Sequence, residues 1–434
     1  MADWTSDSND SLLLSLVRSQ NDKEALAEEE TYEEFNPSFT YPIYGEDEKI
    51  YGYRDLVIDL RFASGSLEQY LSVQYSEKLP STSTVDDVED ILSRFIPPGY
   101  HKDEEAFLKR VEADATFFKP TGQLIYSYTR PAPNSSSKGK RKRTGNTQPL
   151  EPESEDAIEF QVYHATWDTP GFREYHRKMQ ILILLYIEGG SYINDDEDNW
   201  EFVVLYEKRK RRDSAHTTTY HFVGYSSLYP FYYYPERIRL RLSQFVITTP
   251  YQRHGHGSEL YKAIYQYIIK SPHIAELTVE DPAEAFEDLR DKNDLLMLLA
   301  HEQFMEEAFG PQEVRGAGGI GRARKTVRGE GGDQEAPKGQ LVPPANKPWI
   351  EKWRKDLKIA GRQFQRLVEM LILLHLDPSD KASMKAYRLQ VKERLYRFNF
   401  EILAQMEEDE RHEKLEETFQ SVKADYHRIL AFST

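Results

Sequence analysis

From Leu56 to Phe62 the apolar residues Leu56, Ile58, Leu60 and Phe62 alternate with Val57, Asp59 and Arg61, and this period of two predicts a half-buried strand. Upstream, residues 1–35 are polar and acidic around one apolar run, Leu12 to Val17. That composition predicts an acidic, flexible arm in which the run forms at most a short amphipathic helix. Val85 to Pro97 reads as a short helix and Tyr126 to Tyr128 as a strand, so residues 36–155 are expected to form a mixed α/β N-terminal domain. Its last part, 131–155, is rich in Pro, Ser and Gly around a basic run, Lys138 to Arg143, and reads as a disordered insertion. The most regular stretch follows at 156–305. Ile158, Phe160 and Val162 mark a strand, Phe172 to Glu188 a long helix stopped by Gly189 and Gly190, and Glu201–Glu207, Tyr220–Leu228 and Leu240–Ile247 three more strands. A turn, Thr248 to Gly257, then leads to a helix from Ser258 to Lys270, a strand Glu276–Glu280 and a helix after Pro282. The fold class is α/β (α+β), with a central mixed sheet flanked by helices. Residues 306–346, rich in Gly, Arg and Pro, read as a flexible insertion, and 347–434 as a small helical C-terminal domain. In the latter, Trp349–Leu376 and Ala382–Met406 carry apolar residues at helical spacing, separated by Asp377-Pro378-Ser379.

Composition narrows the chemistry. Lys and Arg number 56 against 73 Asp and Glu, a net charge of −17, so nucleic acid is not expected as a direct ligand and a basic partner suits the sign. The chain has no cysteine, which excludes disulfides, Cys-ligated zinc, iron–sulfur clusters and any thiol acyl-enzyme. No run of 18 apolar residues occurs and the first ten residues are acidic, so neither a membrane span nor a secretory signal is expected, and the predicted location is cytosolic or nuclear. The Lys138–Arg143 run reads equally as a nuclear-import signal or a solvated loop, and the second basic run, Lys208–Arg212, as a solvated turn.

The turn after Ile247 is the most informative segment. Tyr251-Gln252-Arg253-His254-Gly255-His256-Gly257-Ser258 places two glycines at the start of a helix, where backbone N–H groups converge without Cβ obstruction and the helix dipole favours a phosphate or pyrophosphate. No Gly-Lys-Ser/Thr closes the turn, so it is not a Walker loop, and Leu260 stands where a Rossmann fingerprint needs its third glycine. Gly316 to Gly321 spells G-x-G-x-x-G with no strand before it or helix after it, and is a decoy. His254 and His256 supply two metal ligands at most, so no metal is expected. Tyr225, Tyr229, Phe231, Tyr232, Tyr233 and Tyr234 are sheet core, or in part the walls of a channel for a lysine stem. Glu280, at the end of a strand and followed by Asp281, reads either as the cap of the helix after Pro282 or as a base whose pKa is raised by burial near another carboxylate.

Gln252-x-x-Gly255-x-Gly257 after a strand resembles the acetyl-coenzyme A loop of the Gcn5-related N-acetyltransferase (GNAT) superfamily. The wider set is sharper: Ser243 to Ile247, Pro250-Tyr251-Gln252, Thr278 to Pro282, Asp288 to Asp291, Ile187-Glu188 with Asp195, Asp196 and Trp200, Tyr229 to Pro235, Tyr51-Gly52-Tyr53 and Ser64 to Leu67. It resembles the catalytic subunit of type B histone acetyltransferases over most of residues 36–300. The resemblance implies a GNAT sheet at 156–305 and transfer of acetyl from acetyl-CoA to lysines in the N-terminal tail of free, newly made histone H4, by direct attack in a ternary complex. It implies Glu280 as the base, with Glu188 and Asp281 as further candidates. Acetyl-CoA contacts fall on Phe245, Val246, Ile247, Gln252, Arg253, His254, Gly255, His256, Gly257, Ser258, Ala283 and Lys292. Acceptor contacts fall on Trp200, Tyr229, Pro230, Phe231, Asp47, Glu48 and Lys49. It further implies histone H4 with H3 and a WD-repeat histone chaperone as partners, and residence in nucleus and cytoplasm. Ala283 departs from the family, which often has Asn there. Two other readings stand beside this one: a histone-binding escort without catalysis, and an acetyltransferase for another polycation.

Overall fold

The computed structural model describes residues 4–80, 84–132, 157–211, 217–310 and 339–431, and the chain divides into two compact units. The first comprises residues 1–231 and 240–267, the second 232–239 and 268–434. The basic run Lys138–Arg143, the decoy glycines 316–321 and most of the two insertions lie outside the described residues.

Leu12–Val17 is a strand, not a helix on a loose arm, and Leu12, Leu14, Leu16 and Val17 are buried. It pairs in parallel with Val57–Ala63, which pairs antiparallel with Gln69–Gln74. Leu14 faces Leu60 and Leu16 faces Phe62 across the first pair. A six-residue, nearly all-apolar run suits a strand covered on both faces. Its free edge is closed by the next segment, where Leu14 N–H donates to the Phe35 carbonyl (2.8 Å) and Leu16 N–H to that of Tyr32 (2.8 Å). Composition misled here because the run never has to fold alone. Val17 and Ala63 enter one cluster with Tyr70 and with Phe107 and Val111 of the helix Glu104–Phe117, which is capped by Asp103.

The main sheet runs Gln123–Pro131, Ala157–Thr166, Glu201–Lys210, Thr218–Tyr233 and Arg237–Ile247 in spatial order. The strand expected at Tyr126–Tyr128 thus lies at the edge of the central sheet instead of in a separate N-terminal domain. Between Leu205 and Tyr206 the register jumps from Gly224 to Phe222, leaving Val223 as the extra residue of a bulge. The Val223 carbonyl there accepts from both the amide (3.0 Å) and the hydroxyl (2.9 Å) of Thr248, which fixes the end of the next strand. Gly224 permits that approach, since a Cβ on it would meet the Val246 carbonyl at 2.3 Å. The helix expected over Phe172–Glu188 is divided into Phe172–Met179 and Ile181–Tyr186 at Gln180, whose side chain accepts from Ile193 N–H (3.0 Å).

In the second unit the strand Ile274–Val279 lies beside the first residues of Arg237–Ile247: Ile238 N–H donates to the His273 carbonyl (2.9 Å). Buried Glu276 is held by Arg239 (2.6 Å) and Arg354 (2.7 Å), and Leu277 N–H donates to the Lys358 carbonyl (2.9 Å). The helices are Glu284–Leu299, Glu302–Phe309, Lys347–Asp356, Gly361–His375, Lys381–Phe398 and Glu408–Leu430, with a single turn at Phe400–Leu403. The predicted Trp349–Leu376 helix is therefore two helices, broken at Lys358, which has φ +53°. Phe304, Trp353, Phe364 and Leu367 form part of the core.

Candidate active site

The strand ending at Ile247 passes through a single 3-10 turn, Thr249–Tyr251, into the Gln252–Gly255 turn, and the next helix begins at His256, two residues before the expected start. Gly257 and Ser258 therefore belong to its first turn. Arg253 (φ +63°) and Gly255 (φ +84°) both adopt left-handed backbone, the conformation that turns successive N–H groups toward one side. The Gln252 side chain donates to the Ile247 carbonyl (2.8 Å) and locks the turn to the strand that precedes it. Gln252, Arg253, His254 and Gly255 are exposed. The helical ladder is entered when Glu259 N–H donates to the Gly255 carbonyl (3.2 Å). Left-handed turn, exposed backbone and helix start together fit a phosphate-bearing group.

Sequence reasoning missed what holds this loop. Tyr251, directly before it, is buried, and its hydroxyl donates to Glu207 Oε2 (2.5 Å). Glu207 also accepts from Arg18 NH1 (3.2 Å) and NH2 (2.9 Å) and pairs with Arg209, which in turn pairs with Glu30. Burial opposes the Glu207 charge, but Arg18 and Arg209 outweigh it and hold the carboxyl well below the usual range. The Arg18 guanidinium also lies over the Tyr32 ring at 3.8 Å. So the basic run Lys208–Arg212 is not a solvated turn in its described part: Lys208 pairs with Glu159, Arg209 with Glu207 and Arg211 with Asp22, while Arg212 lies outside the described residues. Their signal was alternation, since Glu207 and Arg209 share one face of a strand.

On the other side of the loop, His256 is buried, and its Nδ1 hydrogen-bonds the Tyr128 hydroxyl (2.7 Å) while its ring packs on Phe160 (4.4 Å). Burial, followed by the nearby Arg130 charge, pushes its pKa down to about 4. Glu259, in the first turn of the helix, accepts from Tyr126 (2.7 Å) and Arg130 (3.0 Å). Burial raises that carboxyl, yet these two hydrogen bonds hold it below the ordinary value. Tyr126, Tyr128 and Arg130 are alternate residues of the edge strand and reach the loop's helix from one face.

Among the expected acceptor residues, Trp200, Tyr229 and Phe231 stand in a row, with ring centroids 4.9 Å and 5.0 Å apart, and Arg241 caps Phe231 at 4.3 Å. Pro230 lies between the last two on the same strand, half-buried, whereas Tyr225 is wholly buried core. Asp47 is exposed, and Glu48 and Lys49 are half-buried. Glu48 accepts from the amides of Thr40 (2.9 Å) and Tyr41 (3.1 Å) and from Asn9 (2.7 Å), and Lys49 pairs with Asp7 (2.7 Å). Phe245 and Ile247 are half-buried and Val246 buried. Glu188 follows the helix Ile181–Tyr186 and is exposed.

The second unit carries Glu280 and Asp281, just after the strand Ile274–Val279, together with Ala283 as N-cap of the helix Glu284–Leu299 and Lys292 half-buried within it. Asp281 has φ +30°. Glu280, Asp281 and Glu188 are all exposed. Among the described residues no group of three or more His, Asp or Glu could hold a metal ion, and no helix is long and apolar enough to cross a membrane.

Residues 4–188 match the family model described as histone acetyl transferase HAT1 N-terminus, and 332–377 that described as fungal HAT1, C-terminal. A histone acetyltransferase type B catalytic subunit of Cryptococcus neoformans var. neoformans serotype D is 48% identical over 100% of this chain and 99% of its own length. This chain belongs to the histone acetyltransferase type B catalytic subunit family. Proteins of that name from Mycosarcoma maydis (42% identical, 98% of this chain, 87% of that protein) and Kluyveromyces lactis (33%, 99% and 92%) align over nearly the whole chain as well. The protein is thus an acetyltransferase, and its class of substrate is histone.

Proposed function

We propose that the protein transfers acetyl from acetyl-CoA to lysine side chains in the N-terminal tail of free, newly made histone H4, by direct attack in a ternary complex. The observation that carries this reading is the Gln252–Ser258 turn, with Arg253 and Gly255 left-handed and a helix opening at His256, in a chain aligned end to end with histone acetyltransferases. Acetyl-CoA supplies an activated thioester. Backbone amides of Gln252 to Ser258 are proposed to hold its pyrophosphate, Phe245 to Ile247 to pair with the pantetheine arm as an added strand, and Ala283 and Lys292 to lie toward the nucleotide. Glu280 takes the proton from the acceptor ammonium, with Glu188 and Asp281 as alternatives, so that the neutral amine can attack the thioester carbon; the C–N bond forms as the C–S bond breaks, and coenzyme A leaves as a thiolate that takes up the second amine proton. The absence of cysteine supports a single displacement over a thiol acyl-enzyme.

The row Trp200, Tyr229 and Phe231 supports a lysine-bearing acceptor, because aromatic faces suit an aliphatic stem and its cation. A net charge of −17 supports a polycationic tail and disfavours approach to DNA-bound histone. The proposal includes H3 alongside H4, a WD-repeat histone chaperone as companion, and work in both cytoplasm and nucleus. The test is transfer of labelled acetyl from acetyl-CoA to free H4, to nucleosomes and to spermine. Free H4 is expected to be much the best acceptor; equal rates on nucleosomes, or preference for spermine, would overturn the acceptor assignment.

A further inference from the structure

Arg130 stands in the edge strand Gln123–Pro131, far in sequence from the Gln252–Ser258 turn, and belongs to no motif that identifies an acyl-donor loop. Yet its guanidinium lies against that turn: a Cβ placed on Gly255 would be 3.5 Å from Arg130 NH2. The side chain is 36% exposed, so it reaches solvent at the loop instead of ending in the core. Three contacts fix its direction. NH2 donates to Glu259 Oε1 (3.0 Å), NH1 donates to the Thr129 carbonyl (3.5 Å), and the guanidinium carbon stands 4.9 Å from the centre of the Tyr128 ring. Glu259 has Tyr126 (2.7 Å) and Lys262 (3.3 Å) as further partners, so its charge is balanced without taking the whole guanidinium. A guanidinium has five N–H donors in a rigid plane, and the Glu259 contact uses one edge of it.

From this placement we infer that Arg130 is a specificity-determining residue that donates to the pyrophosphate of the acyl donor, completing from the side-chain direction the seat that the loop amides form from the backbone. The inference rests on the reading of Gln252–Ser258 as the donor loop. Backbone amides at a helix start favour any anion, whereas a guanidinium oriented beside them favours an oxygen-rich, doubly charged one. The role of Glu259 is to hold the guanidinium in place before the ligand arrives, which lowers the ordering cost of binding.

The test pairs protein variants with truncated donors, using the full chain and free histone H4 as acceptor. Acetyl-CoA, acetyl-dephospho-CoA (no 3′-phosphate) and S-acetyl-pantetheine (no phosphate) are each titrated against the parent, Arg130→Gln, Arg130→Lys and Gly255→Val. Loss of one charge-assisted contact corresponds to roughly ten- to hundred-fold in KM. Arg130→Gln is expected to raise KM by that factor for acetyl-CoA and acetyl-dephospho-CoA, to leave it unchanged for S-acetyl-pantetheine, and to leave kcat unchanged with all three; Arg130→Lys should recover part of the loss. An equal change with all donors would mark Arg130 as a purely structural ion-pair residue and overturn the inference. A penalty seen with acetyl-CoA but not with acetyl-dephospho-CoA would overturn the pyrophosphate assignment in favour of the 3′-phosphate. If Gly255→Val loses acetyl-CoA selectively while Arg130→Gln does not, Arg130 alone is misassigned; if the parent fails to distinguish the three donors and Gly255→Val changes none of them, the donor loop itself is misassigned.

Discussion

Replacing Glu207 by Gln removes the buried carboxylate that holds Tyr251, the residue just before the Gln252–Ser258 turn. Glu207 is fully buried, and its carboxylate takes two hydrogen bonds from Arg18 (3.2 and 2.9 Å), one from the Tyr251 hydroxyl (2.5 Å) and an ion pair from Arg209. In the variant Arg209 keeps Glu30, but Arg18, with a side chain 1% exposed, is left with the Tyr251 hydroxyl and the face of Tyr32. Removing one partner of such a buried pair costs about 3–5 kcal/mol, because the remaining charge stays desolvated. Against a total stability of ~5–15 kcal/mol that is a large fraction. At 2–4 °C per kcal/mol it corresponds to a fall of roughly 6–20 °C in the melting temperature of the first unit. Since Tyr251 is next to Gln252, the KM for acetyl-CoA should rise as well. Acid behaviour supplies a second readout. The Glu207 carboxyl sits well below its unfolded value, so below about pH 4.3 the unfolded chain binds the proton first; the stabilisation is complete above that pH and is lost as pH falls toward the folded pKa. Differential scanning calorimetry from pH 7 down to about pH 2 measures both effects. A shift under ~2 °C at pH 7 would refute the idea that this buried charge holds the loop.

Three other outcomes are expected. Glu280→Gln should lower kcat on free H4 by about 10² with acetyl-CoA affinity nearly intact, measured by steady-state kinetics and direct acetyl-CoA titration; if Glu188→Gln alone has that effect, the proton acceptor lies at the helix end. Tyr229→Ala should raise KM for H4 more than it lowers kcat, because it breaks the row between Trp200 and Phe231, and an unchanged KM would remove those residues from the acceptor path. His176 and His221, both pushed down to about 3 by burial, stay neutral in the fold while the unfolded chain takes up protons below pH ~6.5. Stability should therefore decline as pH drops from about 6.5 toward 3, and His176→Phe should flatten that slope, since His176 sits among Trp167, Phe172 and Phe202 with neither ring nitrogen bonded.

What was legible in the chain was local. Alternation from Leu56 to Phe62 and the apolar runs at 201–207, 220–228 and 240–247 are strands because each pattern records which faces of one segment are buried. The Gln252–Ser258 turn was legible for the same reason, since glycine spacing and a helix start are contained within eight residues. The partners that hold the loop are not local. Arg18 stands 189 residues from Glu207, and Glu207 44 from Tyr251; Tyr126 and Arg130 are more than 120 residues from Glu259. Nothing in the spacing of a single sequence pairs those positions, so Arg18 fell into a supposedly loose arm and Arg209 into a supposedly solvated turn.

These two misreadings have one physical origin, and it bears on how the loop works. A charge in a short polar stretch is assigned to solvent by default, because burial of an unpaired charge is prohibitively costly. Here the costs cancel only in combination: Arg18 is buried because Leu12–Val17 pairs with Val57–Ala63, Glu207 is buried because its strand lies in the middle of the main sheet, and each supplies the counter-charge that the other needs. The Tyr251 hydroxyl then closes the set, bonded to both Glu207 and Arg18. The loop's position is thus conditional on the N-terminal strand being in place. The segment that looks most dispensable in the sequence is the one whose removal would expose Glu207, release Tyr251 and free the turn that begins at Gln252.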